Sequence, residues 1–198
     1  MLDYDDEAER YDDTRGGQPR AEAAAAAIGS MLPSSRPLTV VDVGGGTGII
    51  ADALASAGRR FVVLDLSAGM LRRAARRLPG RQVRANAMGM PLRDTSVDVV
   101  TCIWLLHLLG SRADMEAVVR EAARVLRPGG QFVTTVDKDL SSGFVRAGEP
   151  TDARADVVAT AERHRLTPVG EASFVGPVQG GGGPGAVHRL LAFARSRS

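Results

Sequence analysis

The chain predicts a doubly wound α/β fold, a mostly parallel sheet with helices on both faces and one antiparallel strand at its end. Short β-branched runs alternate with longer stretches of helical spacing from residue 38 to residue 136, the pattern of parallel strands joined by crossover helices. The first run ends in Gly44-Gly45-Gly46-Thr47-Gly48, which hands a strand over to a helix. The last two apolar runs, 171–175 and 188–194, have no helical pattern between them, so they pair as antiparallel neighbours.

Residues 17–32 are rich in Ala and stop before Pro33 and Pro37, which gives an N-terminal helix. The first strand is 38–43 and a helix follows over 49–57; the second strand is 60–65, with a helix over 68–78 stopped by Pro79-Gly80. Arg72, Arg73, Arg76 and Arg77 lie on one side of that helix and read as a solvated face. Residues 82–84 form a weak third strand and 97–103 a strong fourth. A helix over 112–126 is closed by Arg127-Pro128-Gly129-Gly130, and 131–136 is the fifth strand. Beyond it come a loop over 138–150, a helix over 152–164 and a flexible loop over 176–186 that contains Gly180-Gly181-Gly182-Gly183.

A chain of 198 residues holds one well-buried core and is short for two. One domain is expected, with an N-terminal cap segment and helix (1–36), a ligand-binding core (37–137) and a C-terminal substrate-side helix and hairpin (138–198). Hydrophobic residues at 44% and charged residues at 24% exclude a disordered or fibrous chain. A formal charge of +2 implies no nucleic-acid partner. The single cysteine, Cys102, sits in an apolar run, which leaves no disulfide framework and no cysteine metal cluster; no metal site is expected. The acidic start, Met1-Leu2-Asp3-Tyr4-Asp5-Asp6-Glu7, lacks the order of a signal peptide, and no apolar run approaches a membrane span. A cytoplasmic protein without membrane contact is the expectation.

In such sheets ligands bind beyond the carboxyl ends of the strands. The glycine turn after the first strand lets backbone lie against a ligand. A dinucleotide fingerprint needs glycines at its first, third and sixth positions, and counting from Gly44 the sixth is Ile49. Asp65 ends the second strand, where a carboxylate can accept from both hydroxyls of a ribose. Ser67 is better placed to cap the next helix.

The spacing Asp42-x-Gly44-x-Gly46-x-Gly48, the blocks Leu64-Asp65-Leu66-Ser67-x-x-Met70-Leu71 and Ala85-Asn86-Ala87, the stretch Met90-Pro91-Leu92 to Val100, and Leu126-Arg127-Pro128-Gly129-Gly130 follow one another in order. Together they resemble class I S-adenosylmethionine-dependent methyltransferases, in particular the small-molecule group that includes ubiquinone and menaquinone biosynthesis enzymes. The resemblance covers about residues 11–132. It implies a Rossmann-like fold, S-adenosyl-L-methionine as cofactor and S-adenosyl-L-homocysteine as product. It also implies a cofactor site: Asp42, Gly44, Gly45, Gly46 and Gly48 around the methionine moiety, Asp65 on the ribose, Leu66 packed on the adenine, and Ala87 offering its backbone N–H to the ring. Met70 and Ile103 complete that set. Asn86 stands where the family often has Asp, and its side-chain oxygen can accept from the adenine amino group. Tyr11-Asp12-Asp13-Thr14-Arg15 looks like the family's Tyr-Asp-x-x-Arg segment, so Tyr11 and Arg15 would reach the cofactor carboxylate and residues 1–17 would order over the bound cofactor.

Methyl transfer from a sulfonium is an in-line displacement governed by positioning. His107, just past the fourth strand, is the candidate general base, since an unperturbed imidazole suits that work. Tyr4 and Asp137 are candidate acceptor-binding residues, whereas His164 and His188 read as structural. No Asn/Asp-Pro-Pro-Tyr/Phe block and no Pro-Cys pair follows the fourth strand, which favours a small-molecule acceptor, most simply an oxygen and of the kind met in secondary metabolism, over nucleic acid. A macromolecule methyltransferase and a non-catalytic cofactor-binding protein remain as alternative classes. The expected assembly is a monomer or homodimer.

Overall fold

The computed structural model describes residues 3–33, 37–55, 58–138, 150–176 and 185–197. Residues 56–57 of the first crossover helix, residues 139–149 of the loop after the fifth strand and the Gly180-Gly181-Gly182-Gly183 tract lie outside the described residues.

Seven strands make one sheet: β1 (Leu38–Val43), β2 (Arg59–Asp65), β3 (Gln82–Arg84), β4 (Val97–Cys102), β5 (Leu126–Val136), β6 (Leu166–Gly176) and β7 (Ala186–Arg195). Their order is β3-β2-β1-β4-β5-β7-β6. The first five run parallel, and β7 is antiparallel to both β5 and β6. The antiparallel strand is therefore next to last in the sheet rather than at its end. Burial explains the placement: Leu190, Leu191, Ala192 and Phe193 of β7 are all buried, whereas most of β6 is exposed. The more apolar member of the hairpin takes the inner position, and the more polar one forms the edge.

Helices cover both faces, and the alternation along each strand assigns the side chains. On one face Val41, Val43, Val100, Cys102 and Phe132 pack against α6 (Arg112–Val125) and α7 (Arg154–Arg163) through Met115, Val118, Ala122, Val157 and Ala161. On the other, Val40, Phe61, Val63, Val99 and Val133 meet α3 (Gly17–Met31), α4 (Ile49–Leu54) and α5 (Ala68–Arg77). Arg127-Pro128-Gly129-Gly130 belongs to β5 rather than to a turn before it: Leu126 pairs with Val97, and the register jumps to Val99 with Gln131. The segment is a bulge that feeds the chain from α6 into the sheet.

Two short helices, α1 (Tyr4–Glu7) and α2 (Tyr11–Thr14), precede α3. They lie on the arginine side of α5, so that face is not merely solvated. Arg77 pairs with Asp12 at 2.7 Å and Arg73 with Glu9 at 2.9 Å. The acidic start of the chain and the basic helix are a matched pair of surfaces.

Candidate cofactor and acceptor site

The carboxyl ends of β1 and β2 meet at the glycine turn. The N–H of Gly44 donates to the carbonyl of Leu64 at 2.8 Å, and that of Gly48 to the carbonyl of Gly45 at 2.9 Å. A Cβ on Gly45 would fall 2.6 Å from Oδ2 of Asp42 and 2.9 Å from Cγ1 of Val63, so no larger residue fits. Gly48 has φ +70°, and a Cβ there would press on Ala74 of α5 at 3.2 Å; the glycine turns the chain and lets two helices approach.

Asp65 sits beside this turn with both carboxylate oxygens fixed. Oδ2 accepts from Gly46 N–H and Oδ1 from Ser67 N–H, each at 2.9 Å. Each oxygen keeps lone-pair capacity for a further donor. Burial raises the Asp65 pKa, and the N–H groups of Ser67, Gly46 and Leu66 oppose that shift. Ser67 does cap α5, its hydroxyl accepting from Met70 N–H at 3.0 Å. Asp42 is buried and accepts from the Thr101 hydroxyl at 2.7 Å, tying β1 to β4. Its pKa is pushed up to about 7 by burial, with the Thr101 hydrogen bond opposing and the Asp65 charge adding to the rise.

Next to Asp65, Leu66 is 64% exposed although it is a large apolar side chain, which leaves an apolar surface beside a carboxylate. The Asn86 side-chain oxygen accepts from Met88 N–H at 2.9 Å and its backbone carbonyl from Gly89 N–H at 3.1 Å. The first task of Asn86 is thus to shape the turn after β3. Ala87 is half-buried and packs against the α6-side core, while Met70 is buried beneath the glycine turn. Ile103 is buried in the core on the α3 side.

Tyr11 and Arg15 come over the same edge, with the Arg15 guanidinium 5.6 Å from the Tyr11 ring centroid. Burial raises the Tyr11 pKa, opposed by the charges of Arg20 and Arg15. Tyr4 packs on Tyr11 with ring centroids 6.2 Å apart. Residues with no assigned role in the sequence reading hold this segment in place. The Asp12 carboxylate accepts from the Thr47 hydroxyl at 2.6 Å, and Asp5 accepts from the Gly69 N–H at 2.6 Å. Arg77, besides pairing with Asp12, donates to the Thr47 carbonyl at 3.0 Å. The sequence reading missed them; the signal that could have found them is the complementarity of an acidic start and an arginine-faced helix.

Across the sheet, past β4 and β5, the residues are basic. His107 lies in a 3-10 turn (Leu106–Leu108), with Nε2 2.7 Å from Nζ of Lys138 at the end of β5. Burial lowers the His107 pKa to about 3, helped by the charges of Lys138, Arg20, His188 and Arg15. The ring is therefore not the freely titrating imidazole that its sequence position implies; it is neutral, with Nε2 engaged by Lys138. Burial likewise lowers Lys138 to about 8, with Arg20 and Arg15 adding to the shift and Asp152 opposing it. Arg20 of α3 lies 3.6 Å above the Trp104 ring centroid, and Trp104 Nε1 donates to Nδ1 of His188 at 3.3 Å. Asp137 turns elsewhere: its carboxylate accepts from Arg154 N–H at 2.9 Å at the start of α7, lining a cleft with Val158 and Glu162. His164 faces Glu116 at 3.3 Å. The sequence-predicted residues Asp42, Gly44 to Gly48, Asp65, Leu66, Met70, Tyr11, Arg15 and Tyr4 thus gather around one turn, whereas the Asp137 carboxylate is engaged by the Arg154 N–H.

A family model described as a methyltransferase domain matches residues 41–134, the span that holds the glycine turn, Asp65 and the Asn86 turn. The chain carries a class I S-adenosylmethionine-dependent methyltransferase domain. The chain is 37% identical over 139 residues to a ubiquinone/menaquinone biosynthesis C-methyltransferase of Methylobacterium nodulans, which covers 64% of this chain and 54% of that protein. It is 34% identical over 137 residues to a demethylmenaquinone methyltransferase of Renibacterium salmoninarum, covering 66% and 55%. The chain thus spans about half the length of the curated relatives it matches. Among solved structures, a SAM-dependent methyltransferase of Methanosarcina mazei superposes with a TM-score of 0.69 at 16% identity, over 86% of this chain and 97% of that one; the likeness is one of fold. Among the described residues no helix is long and apolar enough to cross a membrane, and no group of His, Cys, Asp and Glu could hold a metal ion.

Proposed function

We propose that the protein transfers the methyl group of S-adenosyl-L-methionine to a small-molecule acceptor, with an oxygen as the attacking atom. The observation that carries this reading is Asp65, a carboxylate fixed by two backbone N–H groups beside a turn in which Gly45 has no room for a Cβ. The residues present fit the cofactor. Asp65 offers the remaining lone pairs of both oxygens to ribose hydroxyls, and the exposed Leu66 offers an apolar face to a purine. Ala87 N–H and the Asn86 oxygen lie at the next loop, and Tyr11 and Arg15 come over from the N-terminus to meet a carboxylate. Asp42 and Met70 act from beneath by holding the turn.

Bound there, the cofactor supplies an electrophilic methyl group on a sulfonium. The protein's part is to hold the acceptor atom in line, which supplies most of the acceleration in such a displacement. On the acceptor side Lys138, Arg20 and the neutral His107 surround the approach with donors and positive charge. Such a wall stabilises an ionised oxygen and lowers the need for a base. With Lys138 an ammonium and His107 Nε2 accepting from it, neither has a lone pair free for a proton, so the acceptor oxygen arrives ionised or gives its proton to water. A carbon nucleophile is the second reading, favoured by the C-methyltransferase name of the Methylobacterium relative.

The test is to incubate the protein with methyl-labelled S-adenosyl-L-methionine and a small-molecule extract of its producer, with Asp65→Ala as control. Label in a small product with an O-methyl signature supports the proposal, and a C-methyl signature moves it to the second reading. Label in polymer, or none in any product, refutes it.

A further inference from the structure

We propose that the methyl acceptor carries a carboxylate and that Arg20 and Lys138 hold it. This rests on the reading of the site as a methyltransferase centre, because it assigns the neighbouring sheet edge to the acceptor.

Three basic side chains converge on that edge from different elements: Arg20 from the first turn of α3, His107 from the turn after β4 and Lys138 from the end of β5. An ammonium group has only donors, so at 2.7 Å the Lys138 Nζ donates and His107 Nε2 accepts. The neutral imidazole then carries its single proton on Nδ1, and among the described residues that Nδ1 is buried without a partner. Arg20 is in the same condition. One guanidinium N–H reaches the Arg15 carbonyl at 2.8 Å and the plane lies on Trp104, but among the described residues Nε is buried without a partner. Two buried donors with nothing to accept from them stand beside an ammonium group, an arrangement that folded proteins avoid unless a ligand completes it.

The charges tell the same story. Among the described residues neither Arg20 nor Lys138 forms an ion pair. Among the described residues the acidic group that acts on Lys138 is Asp152, whose carboxylate accepts from the Lys138 backbone N–H at 2.9 Å. Burial, with the charges of Arg20 and Arg15 adding, holds Lys138 down to about 8, and burial, with the Arg15 charge adding, holds Arg20 down to about 10. The cofactor cannot cure this imbalance. It brings one carboxylate together with an ammonium and a sulfonium, a net charge of about +1 under neutral conditions, given the ordinary pKa values of its groups. A neutral acceptor would leave the cations uncompensated, and an amine would add to them. A carboxylate offers acceptor sites to both donors and both charges, and Arg suits it geometrically.

Lys138 is the only lysine in the chain, so [13C]lysine labelling gives a single side-chain NMR signal at the proposed site. The protein is saturated with S-adenosyl-L-homocysteine, and binding is confirmed by calorimetry. Benzoate is then titrated against benzamide at matched ionic strength, followed by the same titration on Arg20→Gln. Benzoate is expected to shift the Lys138 signal saturably and to raise its pKa from about 8 toward the ordinary lysine value, while benzamide does neither. Arg20→Gln should weaken benzoate about tenfold, the size of one lost charge-assisted hydrogen bond. A Lys138 signal that ignores benzoate, or follows benzamide equally, overturns the proposal; so does an unchanged benzoate affinity in a folded Arg20→Gln variant. If that variant does not fold, the wild-type comparison of benzoate with benzamide decides. Failure of the homocysteine derivative to bind strikes the methyltransferase reading instead, and calorimetry separates the two.

Discussion

The Asp12 carboxylate accepts a hydrogen bond from the Thr47 hydroxyl at 2.6 Å, across 35 residues of sequence. Thr47 is one of the five residues of the glycine turn, and its side chain is the only polar one among them. Asp12 also takes Arg77 of α5 at 2.7 Å. One buried carboxylate thereby joins the N-terminal helices, the turn and the helix behind it, so the segment that carries Tyr11 and Arg15 is held over the site by the protein's own bonds.

Asp12→Ala should therefore destabilise the fold by about 2 kcal/mol, since it strands the buried Thr47 hydroxyl and removes the partner of Arg77. Thr47→Val, which removes one hydrogen bond, should cost about 1 kcal/mol. Urea unfolding measures both. Hydrogen exchange reads the consequence: amides of residues 4–15 should be protected in the cofactor-free wild type and exposed in Asp12→Ala. Fast exchange of that segment in the wild type would show that it docks only with ligand.

Asp65→Ala should weaken binding of S-adenosyl-L-homocysteine by roughly 2–4 kcal/mol, because it removes charge-assisted acceptors and frees the Gly46 N–H from the position in which Asp65 holds it. Asp65→Asn keeps one acceptor oxygen and should fall between the two. Calorimetry with unchanged affinity in both variants would remove Asp65 from the cofactor site.

Asp42 sets a pH dependence of stability. Its carboxyl is raised to about 7 by burial, against an ordinary value of 3.8. Between those limits the folded protein binds a proton that the unfolded chain does not. Its contribution to stability is thus fully present below about 4, declines as pH rises, and is lost above about 7. At up to about 1.4 kcal/mol for each pH unit, the difference reaches up to about 4 kcal/mol. Asp42→Asn cannot titrate, so its unfolding free energy relative to the wild type should rise by up to that amount between pH 4 and 7. Taking the difference between the two proteins cancels His107, which acts in the opposite sense: lowered to about 3, it contributes stability above its ordinary value that is lost as pH falls. A pH-independent difference would mean that Asp42 ionises in the fold as it does in the unfolded chain.

The glycine turn and Asp65 are legible in the sequence because their chemistry is local: fixed spacing at the ends of two adjacent strands determines where they sit. The same holds for the five parallel strands, whose alternating apolar residues mark both faces. The hairpin order is less legible, since it depends on how many faces of β7 are buried, which only the packed sheet decides. Asp12, Thr47 and Arg77 escape such reading for another reason. They are polar, lie far apart along the chain and follow no period; only the match between an acidic segment and an arginine-faced helix hints at the contact. For His107 the position at the sheet edge is legible, but its ionisation is not, because that follows from burial and from the cations that Arg20, Arg15 and Lys138 bring from other elements.

That difference gives a final prediction about His107 and Lys138. A histidine base would shape the rate profile near its ordinary pKa, but this imidazole, held down to about 3, is neutral across the whole range from pH 6 to 9. On the acceptor side the group that titrates there is Lys138, lowered to about 8. If its ammonium form holds an acceptor carboxylate, kcat/KM should fall as pH rises through about 8, since deprotonation removes the charge that binds the acceptor. The negative acceptor raises the pKa of Lys138 in the complex, so the fall in kcat should come at higher pH. Lys138→Gln should abolish the inflection and raise KM. His107→Gln is the decisive control, because a glutamine oxygen can accept from the Lys138 Nζ as the imidazole nitrogen does, yet it cannot titrate. It should keep single-turnover rates within about threefold of the wild type and preserve the inflection near 8. A loss of roughly 10²–10⁴ in the chemical step of His107→Gln, the size of general-base assistance, with cofactor affinity unchanged, would instead make His107 the base and Lys138 its partner.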